Sequence, residues 1–76
     1  MNERLQQLLC DLLDLEPGEV HPALAREEVD RWDSLNHLRL ITAVEEAFAV
    51  KFTMDEIESI DGVGRLRHLL EARGGL

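Results

Sequence analysis

The 76-residue chain holds a single cysteine, Cys10. That excludes an internal disulfide and a thiolate metal cluster. The histidines His21, His37 and His68 stand far apart, so the short ligand spacing of a structural zinc site is missing as well. A chain of this length forms one small domain at most, and packing alone must hold it together. No apolar run reaches membrane-spanning length. The N-terminus, MNERLQQLLCDLL, lacks the basic-then-apolar order of a signal peptide. A reduced, cytoplasmic setting is the expectation. Positive charge is scarce: 8 Lys and Arg face 16 Asp and Glu, a net charge of −8. Nucleic acid is a poor partner for such a chain, because contacts to phosphates need the opposite sign. The imbalance is steepest from Asp11 to Asp33, where Arg26 and Arg31 are the only cations. That stretch reads as a solvated surface, or as one that steers partners carrying basic patches. Alternating strand patterns, internal repeats and low-complexity segments are also lacking.

What the chain does have is leucine at helical spacing. Leu5, Leu8, Leu9, Leu12 and Leu13 fall at i, i+3, i+4, i+7 and i+8, which predicts a helix over about residues 3–14. Asn2 can cap it and Pro17-Gly18 stop it. A second amphipathic segment runs from Ser34 to about Ala49. TMDE, from Thr53 to Glu56, is a capping box that opens a short helix over about 54–59. Asp61-Gly62 breaks the chain. Val63, Leu66, Leu69 and Leu70 then form the stripe of a last helix, with Arg73 suited to its C-terminal dipole and Gly74-Gly75 ending it. The expected fold is all-α: a small four-helix bundle, three helices longer and one short, around a leucine core. The connection over about 15–33 is long for so small a domain, and such loops are usually functional or hide a short helical turn. Val20, Leu24, Val29 and Trp32 are spaced along it, which predicts an ordered strap pinned across the bundle.

At 100° per residue, Leu40, Ile41, Val44, Ala47 and Phe48 share one arc of the second helix. Arg39, Thr42, Glu45 and Glu46 occupy the opposite arc. Leu35 falls among these polar residues, and Leu38 lies at the edge. An isolated exposed leucine is commonplace; the alternative is a contact for a partner. Ser34 likewise has two readings. Serine caps helices well, and so does Asp33 beside it. The alternative is a functional role for the hydroxyl.

Catalysis by the chain itself finds no support. Nothing resembles a nucleophile with a base and an orienting group. His37, three residues after Ser34, can share a face with it, but one exposed helical turn offers no pocket to exclude water. Cys10 falls on the polar flank of helix one, with no basic neighbour to lower its pKa.

The stretch WDSLNHLRLITAVEEAFAVKF, from Trp32 to Phe52, resembles the acyl carrier protein family, the phosphopantetheine-carrying domains of fatty acid, polyketide and peptide assembly lines. It matches in Asp-Ser-Leu, the apolar stripe behind it, the paired Glu45-Glu46 and a Phe. Element order and lengths fit over essentially the whole chain. The resemblance implies that Ser34 carries 4′-phosphopantetheine as a phosphodiester. A separate phosphopantetheinyl transferase would attach it, using coenzyme A and Mg²⁺. The arm's thiol would then hold acyl or aminoacyl groups as thioesters for loading enzymes and downstream synthases or transferases. The exposed Leu35 beside the serine, with its neighbours on the helix face, gives the expected partner surface: Asp33, Leu35, Leu38, Arg39, Thr42 and Glu46. A cytoplasmic, monomeric phosphoprotein without membrane insertion or a metal site is expected. Beginning at Met1 and ending in GGL, the chain reads as a free-standing carrier. Two departures stand out. The Leu-Gly pair that commonly precedes Asp-Ser-Leu is replaced by Asp30-Arg31-Trp32, which suggests a subgroup. The exposed face of the helix begins with Asn36, His37 and Arg39, where fatty-acid carriers tend to be acidic. The competing reading is a small acidic helical interaction module with no prosthetic group.

Overall fold

The computed structural model describes residues 2–76. Helix α1 spans Glu3–Leu13 and buries Leu5, Leu9 and Leu13, one residue per turn of a single stripe. Leu8 and Leu12 flank that stripe, half-buried against the core. Asn2 caps the helix, its Oδ1 accepting from the N–H groups of Arg4 and Leu5 at 2.9 and 3.1 Å. The stop comes earlier than Pro17-Gly18. Asp14 turns into the left-handed region at φ 55°, and the Leu15 N–H closes back on the Cys10 carbonyl. Asp is among the few non-glycine residues that tolerate this conformation.

The strap is ordered, as its apolar spacing predicts. It contains two 3₁₀ turns, Pro17–Glu19 and Arg26–Glu28. In each, the closing glutamate bends back to accept the N–H that opens the turn: Glu19 from Glu16, Glu28 from Ala25. Leu24, Val29 and Trp32 are buried, and Val20 packs half-buried against them. The strap also crosses the start of the last helix closely. The Arg26 N–H donates to the Asp61 carbonyl at 2.7 Å, and the Val63 N–H donates to the Leu24 carbonyl at 3.0 Å. Glycine makes the crossing possible. A Cβ on Gly62 would meet the Leu24 carbonyl oxygen at 2.7 Å, and one on Gly64 would meet that of Pro22 at the same distance.

Helix α2 spans Ser34–Phe48 and buries His37, Leu40, Ile41 and Val44. Ala47 and Phe48, expected in the core, are half-buried. Glu45, expected among exposed polar residues, is half-buried too, and its carboxylate accepts the Phe52 N–H at 2.9 Å. Ala49 ends the helix in the left-handed region. Helix α3, Met54–Ser59, has the expected capping box between Thr53 and Glu56. Helix α4, Val63–Ala72, buries Val63, Leu66, Leu69 and Leu70. The four helices enclose one core, and the described residues contain no β-strand, only the isolated bridge between Ala25 and Gly62. None of these helices is long and apolar enough to cross a membrane.

Candidate functional site

Asp33 and Ser34 divide the two roles that the sequence leaves open between them. Asp33 takes the cap: its backbone is extended, and its Oδ1 accepts the Asn36 N–H at 2.8 Å. Ser34 becomes the first helical residue, exposed and released from capping. The first helical turn leaves backbone N–H groups without intrahelical partners. A phosphate ester on the Ser34 oxygen would lie beside them, at the positive end of a 15-residue helix.

The chain that leads into Ser34 is fixed at successive residues. The Arg31 carbonyl accepts from Asn36 Nδ2 at 2.7 Å. The Trp32 carbonyl accepts from Arg26 Nε at 3.0 Å. The Asp33 carbonyl accepts the His37 N–H at 2.8 Å. Trp32 itself is 3% exposed. Its indole N–H donates to His37 Nδ1 at 2.8 Å, and His37 Nε2 lies 2.9 Å from the Ile57 carbonyl of α3.

His37 therefore does not begin an exposed face. It is buried, and its ring nitrogens are engaged by Trp32 and Ile57. The sequence carried the signal: His37 precedes Leu40, Ile41 and Val44 by three, four and seven residues, in register with the buried stripe. A buried imidazole needs partners for both ring nitrogens, and Trp32 and Ile57 supply them.

Of the residues expected at a partner surface, all but Asp33 line one shallow groove along α2. Asp33, Leu35, Leu38, Arg39, Thr42 and Glu46 are all exposed. Leu35 and Leu38 keep 58% and 54% of their surface in water, which is high for apolar side chains outside any core. Leu12 of α1 and Ala43 line the same shallow groove, an extension along α1 that the wheel of α2 alone does not reveal. Cys10 offers no competing nucleophile. Partial burial, and then the carboxylates of Asp11, Glu16 and Glu19, hold its thiol above the ordinary value, so the reactive thiolate is disfavoured.

Comparison with known proteins agrees with this geometry. Over 63 residues, 83% of its length, the chain is 36% identical to the non-reducing polyketide synthase pkdA of Emericella nidulans. It spans only 2% of that relative's length. No solved structure matches it significantly. The family model for the phosphopantetheine attachment site matches residues 3–70, from the first turn of α1 into the last turns of α4. The chain thus belongs to the phosphopantetheine-attachment family, whose domains are non-catalytic carriers of a covalently bound 4′-phosphopantetheine.

Proposed function

We propose that Ser34 is the attachment site, and that the chain is a single acyl carrier domain over residues 1–76. A phosphopantetheinyl transferase would bring coenzyme A to it. The Ser34 oxygen would lose its proton to that enzyme and become one ester oxygen of the phosphodiester, as the pyrophosphate bond of coenzyme A breaks and adenosine 3′,5′-bisphosphate leaves. The observation that carries this reading is the division of labour at the start of α2: Asp33 caps, and Ser34 is left exposed at the helix N-terminus. Once attached, the arm's terminal thiol supplies the thioester linkage. The protein's own residues anchor, orient and present.

The cargo is an acyl or aminoacyl intermediate of a biosynthetic pathway, and the similarity to a polyketide synthase favours a polyketide one. Loading enzymes and downstream synthases or transferases would approach over Asp33, Leu35, Leu38, Arg39, Thr42 and Glu46. A monomer in the cytoplasm suits a carrier that must visit several enzymes in turn. Intact-mass measurement after incubation with a transferase, coenzyme A and Mg²⁺ tests the assignment. The wild-type chain should gain the mass of one arm. Ser34→Ala should gain none while keeping its stability within about 0.5 kcal/mol, since Asp33 still caps α2. An alanine variant that is still loaded would place the arm elsewhere.

A further inference from the structure

Among the described residues, His37 is the one polar or charged side chain buried in the core, and the transfer of the arm gives it no chemical task. Its hydrogen bonds point to a different one. An indole N–H can only donate. His37 Nδ1 must therefore accept from Trp32, and Nε2 must carry the ring proton and donate to the Ile57 carbonyl. The imidazole is thus directional. One nitrogen holds the residue two before Ser34, and the other holds α3. The rings of Trp32 and His37 lie 6.2 Å apart between centroids, tilted by 30°, so the link is an edge-on hydrogen bond rather than a stack.

Each partner needs such a link. The Trp32 side chain is the last buried anchor of the strap before the exposed pair Asp33-Ser34. Of the other bonds near it, those from Asn36 Nδ2 to the Arg31 carbonyl and from the Asn36 N–H to the Asp33 carboxylate are exposed to water, where a hydrogen bond competes with solvent, and the half-buried one from Arg26 holds the Trp32 backbone and not its ring. Helix α3 has only six residues and no fully buried side chain. It cannot position itself by packing alone.

We infer that His37 is a positioning residue for the modified serine: through Trp32 it fixes the turn that presents the Ser34 hydroxyl, and through the Ile57 carbonyl it ties that turn to α3. The inference rests on the assignment of Ser34 as attachment site. With the Trp32 bond lost, the turn samples orientations that a transferase cannot engage. Apparent affinity then falls by the fraction of molecules that remain competent. Chemistry within the complex is untouched, so the effect belongs in KM and not in kcat.

Conservative substitutions separate the two nitrogens. In His37→Asn the amide oxygen sits at the δ position and can still accept from Trp32. In His37→Gln the amide nitrogen sits at the ε position and can still donate to Ile57, while the Trp32 bond is lost. Trp32→Phe keeps a buried ring and removes the N–H. The experiment measures steady-state transfer of the arm from coenzyme A to wild-type chain, the three single variants and the Trp32→Phe/His37→Gln double, with thermal midpoints alongside.

The expected result is a roughly three- to tenfold rise in KM for His37→Gln and Trp32→Phe, the scale of one lost hydrogen bond. The double variant should be no worse than either single, because both remove the same bond. His37→Asn should retain the wild-type KM even if its midpoint falls as far as that of His37→Gln. The inference is overturned if KM follows the thermal midpoint across all variants, if the two substitutions add, or if none changes KM. A wild-type chain that takes no arm, or takes it at a residue other than Ser34, would instead overturn the site assignment and this inference with it.

Discussion

Leu35 and Leu40 lie on one helix, five residues apart, with opposite duties. Leu40 is fully buried, whereas Leu35 keeps 58% of its surface in water next to Ser34. The deletion of a buried leucine side chain removes transfer energy and leaves a cavity. Deletion at an exposed site leaves folding nearly untouched. Leu40→Ala should therefore destabilise by about 2–5 kcal/mol, seen as a lower denaturation midpoint. Leu35→Ala should shift stability by no more than about 0.5 kcal/mol but slow arm transfer, because small apolar anchors ringed by polar residues often dominate an interface. A large stability loss for Leu35→Ala with transfer intact would remove it from the partner surface. The same wheel shows how far residue-level reading reaches. It sorts Leu35, Leu40, Ile41 and Val44 correctly, because apolar burial repeats with the helix. It misplaces Glu45, and His37, although in register with the buried stripe, reads as exposed, because polarity argues for solvent until a partner is known. Those partners are the Trp32 indole, the Ile57 carbonyl and the Phe52 N–H, and none of the three bonds is marked in the sequence.

Elements whose ends are set by local chemistry were legible; elements set by crossing chains were not. Asn2, Thr53 and Glu56 announce helix starts, because a side chain three residues away or fewer meets the orphan N–H. The left-handed stops at Asp14 and Ala49 have no glycine to announce them. Gly62 reads as a chain break, yet its φ of 175° is ordinary extended backbone. What demands glycine there is the strap, whose Leu24 carbonyl oxygen lies 2.7 Å from where a Cβ would stand. Gly64, inside α4, faces the Pro22 carbonyl in the same way. Alanine in a helix normally gains about 1 kcal/mol over glycine. At Gly64 that gain competes with a clash against backbone, which cannot rotate away as a side chain can. Gly62→Ala and Gly64→Ala should each destabilise, by roughly 1–3 kcal/mol as overpacked sites do. Urea denaturation of both variants checks this, and a more stable Gly64→Ala would show that the strap yields at Pro22.

On the scale of the whole molecule, the net charge of −8 sets the fold against itself at neutral pH, and one carboxylate opposes that trend. Glu56 accepts the Thr53 N–H that opens α3 and pairs with Arg73, just beyond the end of α4. The Arg73 guanidinium also lies over the Phe52 ring, 5.5 Å from its centroid. One side chain thus joins the start of α3 to the end of the chain's last helix. The Thr53 N–H first, and then Arg73, hold the Glu56 carboxyl below its ordinary value. A carboxyl with a lowered folded-state pKa contributes its stability above the unfolded value and loses it as pH falls through the folded one. Acidification therefore acts in two directions: it discharges the many solvated carboxylates and relieves repulsion, while it removes the Glu56 link. Comparison with Glu56→Gln separates them, because the general discharge is common to both chains. The wild type should be the more stable at about pH 7, and the difference should shrink as pH falls below the ordinary carboxylate range and through the lowered folded-state value. Urea midpoints at several pH values measure it. A difference that persists unchanged at the acid end would mean that the glutamate acts through its shape and not its charge.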